Sequence, residues 1–108
     1  MMDNFQFGDI VLLKFPYTDG RSYKRRPALI INDFGDDDVI VCRISSQIFN
    51  TQYDVLIDNW KESGLKLLSV IRVHKLATLE KGMVEIVMGN IDHAKKKKVR
   101  NIISKLAD

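Results

Sequence analysis

The chain has 108 residues, 45% of them hydrophobic and 29% charged, a composition that describes an ordinary globular protein with room for one core. A chain of this size buries roughly two-thirds of the surface its unfolded form exposes, so it needs no covalent staple. The lone Cys42 excludes an internal disulfide framework and fits a reducing compartment, and one Cys with two separated His residues does not make a zinc site. No apolar run approaches the ~20 residues of a membrane span, and residues 1–6 hold no signal-peptide core. The expectation is one domain over residues 1–108, working in the cytoplasm with no membrane and no metal or other cofactor.

The net charge of +3 is unevenly placed. Five of the 17 Lys and Arg residues lie in 95–100, a segment without Asp or Glu, so the rest of the chain carries 12 cations against 14 acids, a net of −2. A second basic cluster, Arg21, Lys24, Arg25 and Arg26, follows the first hydrophobic run. Two local positive patches on a mildly acidic body suggest a polyanion met at defined places.

In chain order, Gly8 and Asp9 precede Ile10-Val11-Leu12-Leu13-Lys14-Phe15, a strand closed by Pro16. Residues 16–26 read as a polar loop with Asp19-Gly20 as its turn. Pro27-Ala28-Leu29-Ile30-Ile31-Asn32 is a second strand, whose unbroken apolar character implies burial on both faces or a place at a barrel centre. Gly35-Asp36-Asp37-Asp38 marks a hairpin turn before a third strand at 39–44, and residues 53–57 alternate like a fourth. Residues 58–64 have turn chemistry. Strands at 67–73 and 84–88 follow, parted by Glu80-Lys81-Gly82. The period then changes. Val99, Ile102, Ile103 and Leu106 share one helical face, Asp92 is placed to cap the helix, and the lysines fall on the solvent side. The expected fold is mainly β, a small antiparallel barrel of five to six strands with a C-terminal α-helix.

Two segments carry chemistry. In the first, Arg26 precedes the strand-opening Pro27, which biases it to an extended backbone and suits a guanidinium that clamps a phosphate. The same composition also describes a solubilising loop. In the second, Arg43-Ile44-Ser45-Ser46-Gln47, hydroxyls and an amide at a strand end can bond a phosphate oxygen or a base edge, or simply form a turn. Trp60 and Tyr53 are candidates for base stacking or for ordinary packing.

Gly8-Asp9-Ile10-Val11-Leu12, Phe15-Pro16-Tyr17-Thr18-Asp19 and Lys24-Arg25-Arg26-Pro27-Ala28-Leu29-Ile30-Ile31 together resemble the opening of the MazF/PemK toxins. Ile44-Ser45-Ser46-Gln47 is similar to the segment that follows in that family. Gly64-Leu65-Lys66 with Ser69, then Arg72-Val73-His74-Lys75-Leu76-Ala77-Thr78-Leu79, resembles its later strand, and Gly89 precedes the final helix as in the family. The resemblance runs along nearly the whole chain. It implies an SH3-like barrel, usually a homodimer. It also implies the toxin of a type II toxin–antitoxin module, a metal-independent endoribonuclease that cuts single-stranded mRNA and so stops translation and growth. In that family the ribose 2′-hydroxyl attacks, leaving a 2′,3′-cyclic phosphate and a 5′-hydroxyl. The resemblance puts the catalytic roles on Arg26, Ser45, Arg72 and His74, with RNA contacts from Thr18, Arg21, Lys24, Arg25, Arg43, Ser46 and Gln47. Arg26 and Ser45 correspond to the phosphate-stabilising pair. Arg72 and His74 fall on an Arg-x-Asp acid–base pair, so His74 stands where relatives carry a carboxylate; an arginine is a poor proton donor, so Arg72 reads as electrostatic first and acid second. Being two apart on a strand, they are expected on one face. Imidazole can serve as base in place of a carboxylate. The substitution also leaves open a weak or inactive member that binds RNA or a protein. A gyrase poison of the CcdB type is disfavoured, because the chain ends Lys105-Leu106-Ala107-Asp108 without the tryptophan-bearing helix end those toxins use. The expected partner is a cognate antitoxin whose flexible acidic tail competes with RNA for the basic loop.

Overall fold

The computed structural model describes residues 4–108. Six strands form one antiparallel sheet: β1 (Asp9–Pro16), β2 (Tyr23–Asp33), β3 (Asp38–Ser45), β4 (Asp54–Ile57), β5 (Ser69–Glu80) and β6 (Val84–Asn90). A single 3₁₀ turn (Lys81–Met83) joins β5 to β6, and helix α1 (His93–Ile103) follows. The spatial order is β4-β5-β3-β2-β1-β6, so β4 and β6 are the edges.

The fold class is as expected, mainly β with a C-terminal helix, but the sheet does not close into a hydrogen-bonded barrel. Backbone contact takes the place of a ladder beside β6. A Cβ on Gly64 would strike the Met88 carbonyl, and one on Gly89 the Ser63 carbonyl, so the 58–64 turn lies directly against the end of β6. Gly64 also has φ +91, a conformation that L side chains rarely adopt.

Alternation along β1, β2 and β3 divides the apolar residues between two faces. Ile10, Leu29 and Cys42 point to one core, completed by Ile71, Val73, Ile91 and Val99 of α1. Val11, Leu13, Ala28, Ile30, Val39 and Val41 point to the other, closed in part by Phe5, Phe15 and Leu79. The continuous run 27–31 is therefore buried on both faces for the reason its pattern suggested, and Cys42 is a fully buried core residue.

Two strands are longer than the hydrophobic runs that mark them. β2 begins at Tyr23, because β1 pairs with it down to Pro16↔Tyr23; Lys24, Arg25 and Arg26 are strand residues and not part of a loop. Pairing of β2 with β3 starts at Ala28↔Arg43, so Pro27 sits where that ladder stops and its missing N–H is tolerated. β5 continues to Glu80, paired with β3 down to Asp38↔Glu80.

Asp92 caps α1 as its position implied, its Oδ1 accepting from the Lys95 backbone N at 2.9 Å. Lys95 does not follow the other lysines to solvent. Its Nζ reaches Asp92 at 2.7 Å and Asp58 at 3.0 Å, which docks the helix on the 58–64 turn. At the opposite end of the sheet, the enclosed Lys81 Nζ lies 2.7 Å from Asp33. Asp33 also accepts from the backbone N of Phe5 and of Gly35.

These pairings make stability fall in acid. The Lys81 contact holds the Asp33 carboxyl below the ordinary range, and Lys95 does the same for Asp92. Burial pushes Asp54 up, but hydrogen bonds from Thr51 and Arg72 outweigh it and leave that carboxyl lowered too. A carboxyl with a depressed folded-state pKa stabilises fully above the unfolded value of about 3.9 and loses that contribution as pH falls through the folded value. The urea midpoint is therefore expected to hold between neutrality and about pH 5 and to drop below about pH 4. A midpoint unchanged into stronger acid would mean that these pairs do not stabilise the fold.

Candidate active site

A cleft of about 620 Å³ opens on the side of the second core. Leu13, Val41 and Leu79 contribute apolar surface to it, and Phe15, Pro16, Tyr17 and Thr18 line it from the end of β1 and the turn beyond. Lys24 and Arg26 enter from β2, Arg43 from β3 and Lys75 from β5, and among the described residues no acid lines the cleft. Four cations beside apolar walls focus a positive potential into this space.

Strand alternation explains the gathering. Lys24 and Arg26 continue the face of Ala28 and Ile30, while Arg43 continues that of Val39 and Val41. Lys75 arrives by a different route. Cys42 pairs with Leu76 but Arg43 pairs with Arg72, so residues 73–75 are extra on β5. An odd insertion reverses which side chains face which side. Ile71 and Val73 thus belong to the first core, whereas Lys75, Ala77 and Leu79 line the cleft.

The turn between β1 and β2 is held by Asp19, whose Oδ1 accepts from the backbone N of Arg21 at 2.9 Å and of Ser22 at 3.3 Å. These bonds keep the Asp19 carboxyl below its ordinary range. The Tyr17 backbone N donates to the Ser22 carbonyl and the Gly20 N to the Tyr17 carbonyl, so the turn is tied to itself where it presents Thr18.

Of the residues singled out in the sequence, Thr18, Lys24, Arg26 and Arg43 line the cleft together. Arg21 is exposed on the turn, outside the lining. Arg25 donates through Nε to Glu85 of β6 at 2.7 Å. Ser45 follows the cleft-lining Ile44, half-buried, and its Oγ accepts from the Gln47 backbone N at 3.1 Å. Ser46 and Gln47 are exposed beyond it.

Arg72 and His74 also lie outside the lining, and the extra residues 73–75 remove the simple alternation expected to put them on one face. Arg72 donates through Nε to Asp54 at 3.0 Å, and its guanidinium sits 3.6 Å from the centroid of the Phe49 ring. The His74 ring lies 5.1 Å from that of Tyr53, with Nδ1 buried and unpartnered. The cleft residues missed from the sequence are Lys75, Phe15 and Tyr17. The first was hidden because the apolar run of β5 stops at Val73, and the two aromatics read as strand-end residues.

Among the described residues no group of three or more His, Cys, Asp or Glu side chains is placed to hold a metal ion. None of the described helices is long and apolar enough to cross a membrane.

The sheet order and the acid-free cationic cleft describe a small β protein suited to an anionic ligand. The family of PemK-like, MazF-like toxins of type II toxin–antitoxin systems matches residues 6–107, and the chain belongs to that family. Solved structures share the fold. MazF in a MazE–MazF complex from Deinococcus radiodurans is 18% identical, with a TM-score of 0.80 over 98% of this chain and 97% of that one. The Mycobacterium tuberculosis toxin MazF-mt6 is 19% identical, with a TM-score of 0.76 over 93% and 96%. A mycobacterial endoribonuclease solved with its cognate antitoxin is 16% identical, with a TM-score of 0.74 over 95% and 94%. No curated protein sequence matches the chain.

Proposed function

We propose that the chain is the toxin of a type II module and an endoribonuclease that cuts single-stranded mRNA in the cytoplasm, without a metal, stopping translation and growth. The observation that carries this reading is the cleft in which Arg26, Lys24, Arg43 and Lys75 converge with no acid among the described lining residues. Single-stranded RNA supplies what such a cleft takes, phosphates for the cations and base faces for Tyr17 and Phe15.

In the proposed reaction the 2′-oxygen attacks the adjacent phosphorus while the bond from phosphorus to O5′ breaks. The 2′-hydroxyl proton goes to a base and the leaving O5′ takes a proton from water, giving a 2′,3′-cyclic phosphate and a 5′-hydroxyl. The five-coordinate state carries more negative charge than the diester, so fixed donors aimed at it accelerate the step. Arg26 takes that role, with the Ser45 hydroxyl as the second donor and Lys24, Arg43 and Lys75 on flanking phosphates. Thr18 in the lining, and Arg21, Ser46 and Gln47 exposed outside it, are assigned to base contacts. Arg25 contributes to RNA attraction at the rim. His74 is the candidate base through Nε2, since Nδ1 is enclosed.

A cognate antitoxin with an acidic tail would fill the same cleft and exclude RNA, and a second copy of the chain completes the proposed homodimer. One observation favours a second reading, a member that binds RNA without cutting it: Arg72 is engaged by Asp54 and Phe49, and His74 lies outside the lining.

The test is a short RNA cut at one site, compared with the same strand carrying a single 2′-deoxynucleotide there. The reading predicts cleavage of the first and none of the second, at similar affinity. Equal cleavage of both would rule out attack by the 2′-hydroxyl, and binding without cleavage of either would support the second reading.

A further inference from the structure

We infer that Arg72 is a positioning residue that fixes the β3–β4 loop, residues 46–53, beside the cleft, and that it transfers no proton. The inference rests on the ribonuclease reading for its consequence and on geometry for its substance. Four contacts converge on this side chain or its acidic partner. The Arg72 guanidinium carbon is 3.6 Å from the Phe49 ring centroid, and Phe49 is in the middle of the loop. Nε donates to Asp54 Oδ1 at 3.0 Å, at the point where the loop enters β4. Asp54 Oδ2 in turn accepts from the Thr51 backbone N at 2.9 Å and from its Oγ1 at 2.6 Å.

The rest of the loop is bonded to the same elements. The Tyr53 backbone N donates to Thr51 Oγ1 at 3.1 Å, and the Val73 backbone N to the Tyr53 carbonyl at 3.0 Å. At the other end Ser45 Oγ accepts from the Gln47 N. Apolar packing does only part of this work, since Ile48 is 48% exposed and the half-buried Phe49 meets the guanidinium. The order of Ser46 and Gln47 therefore depends on the cation between Phe49 and Asp54.

The same contacts argue against proton transfer. The Arg72 and Asp54 side chains are only 12% and 2% exposed. A guanidinium that gave up its proton here would leave the Asp54 carboxylate without its cation in a poorly hydrated site, a strongly unfavourable arrangement. Arginine is in any case effectively always protonated. Lysine at this position keeps the charge but not the planar face that lies on Phe49.

The test uses the full chain with Arg72→Lys, Phe49→Leu, Asp54→Asn and the double variant Arg72→Lys/Phe49→Leu. Steady-state cleavage of a single-site RNA is followed across pH, with amide hydrogen exchange of each folded protein alongside. Each single change is expected to raise KM by about tenfold, to leave kcat within about threefold and to leave the pH profile in place. The double variant should be no worse than Arg72→Lys alone, because both changes undo one contact. Exchange should quicken in residues 46–53 and not in the central strands. A fall in kcat at constant KM for Arg72→Lys, or a moved limb of its pH profile, with Phe49→Leu unaffected, would overturn the inference. If the wild-type protein leaves RNA intact, the ribonuclease reading fails by itself. The exchange data then decide the anchoring, and unchanged exchange in all three single variants would refute it.

Discussion

Arg26→Ala is expected to lower kcat/KM for RNA cleavage by about 10²–10³, with a much smaller loss of RNA affinity. Arg26 is held by the ladder to β1, since Leu13 pairs with it directly and its neighbours Arg25 and Pro27 pair with Lys14 and Leu12. Its backbone is fixed before substrate arrives, and an extended conformation is already favoured by the proline that follows. Preorganised charge aimed at the phosphorane costs no reorganisation during the reaction, which is why one such donor is worth so much. The neighbouring cations serve a different purpose. Lys24, Arg43 and Lys75 bind phosphates in ground and transition state alike, so their loss should appear in KM and in the salt dependence of binding. Arg26→Lys should recover only part of the rate, because an ammonium cannot make the paired contact of a guanidinium. Single-turnover cleavage at saturating enzyme separates the two effects. An Arg26→Ala protein with normal single-turnover rate and weakened binding would show that Arg26 is only another phosphate contact.

Gly89→Ala is expected to destabilise the protein by about 3 kcal/mol and to lower Tm by about 10 °C or more. The cause is steric. A Cβ at 89 would run into the Ser63 carbonyl, and the opposing glycine, Gly64, has no side chain to move aside. Both obstacles are backbone, and the 58–64 turn is further held through Asp58 and Lys95 to the helix. Relief would require moving β6 or undocking α1. Gly82 supplies the control, since a Cβ there meets nothing within 4 Å, and Gly82→Ala should leave Tm nearly unchanged. Thermal denaturation followed by circular dichroism tests the pair. Equal melting temperatures for the two variants would mean that the contact at β6 is not part of the folded protein in solution.

Much of this fold was legible because burial on both faces writes itself as unbroken apolar sequence. Ala28-Leu29-Ile30-Ile31 feeds two cores, and the helical spacing of Val99 and Ile102 places α1 on one of them. What pattern does not carry is pairing between polar stretches. Tyr23-Lys24-Arg25-Arg26 has the composition of a loop, and it becomes strand only because β1 extends far enough to bond it. Leu76-Ala77-Thr78-Leu79 is likewise strand through its partner β3, not through its own alternation. The three extra residues at 73–75 have no signature at all, although they decide that Lys75 faces the cleft and that spacing does not relate Arg72 to His74. Nor does sequence show that one lysine of four in a row, Lys95, turns inward to two carboxylates.

The candidate site divides in the same way. Arg26 and Lys24 were marked by a basic cluster against a strand-opening proline, and Arg43 by its place at the end of β3. Their neighbours come partly from β1, next to β2 in the chain, and partly from β5, far along it, and only the sheet order brings β5 to the same cleft. For Arg72 a family resemblance suggested proton transfer, whereas the structure supplies a covered guanidinium between an aromatic ring and a carboxylate.

The most direct test of the central claim is to incubate the wild-type protein with a long single-stranded RNA in EDTA, map the new ends by primer extension and identify them by mass spectrometry. Discrete cuts within single-stranded segments are expected, each leaving a 2′,3′-cyclic phosphate and a 5′-hydroxyl, and abolished by an excess of single-stranded competitor. Intact RNA under conditions in which the protein demonstrably binds it would contradict the ribonuclease reading and leave the cationic cleft as a binding surface alone.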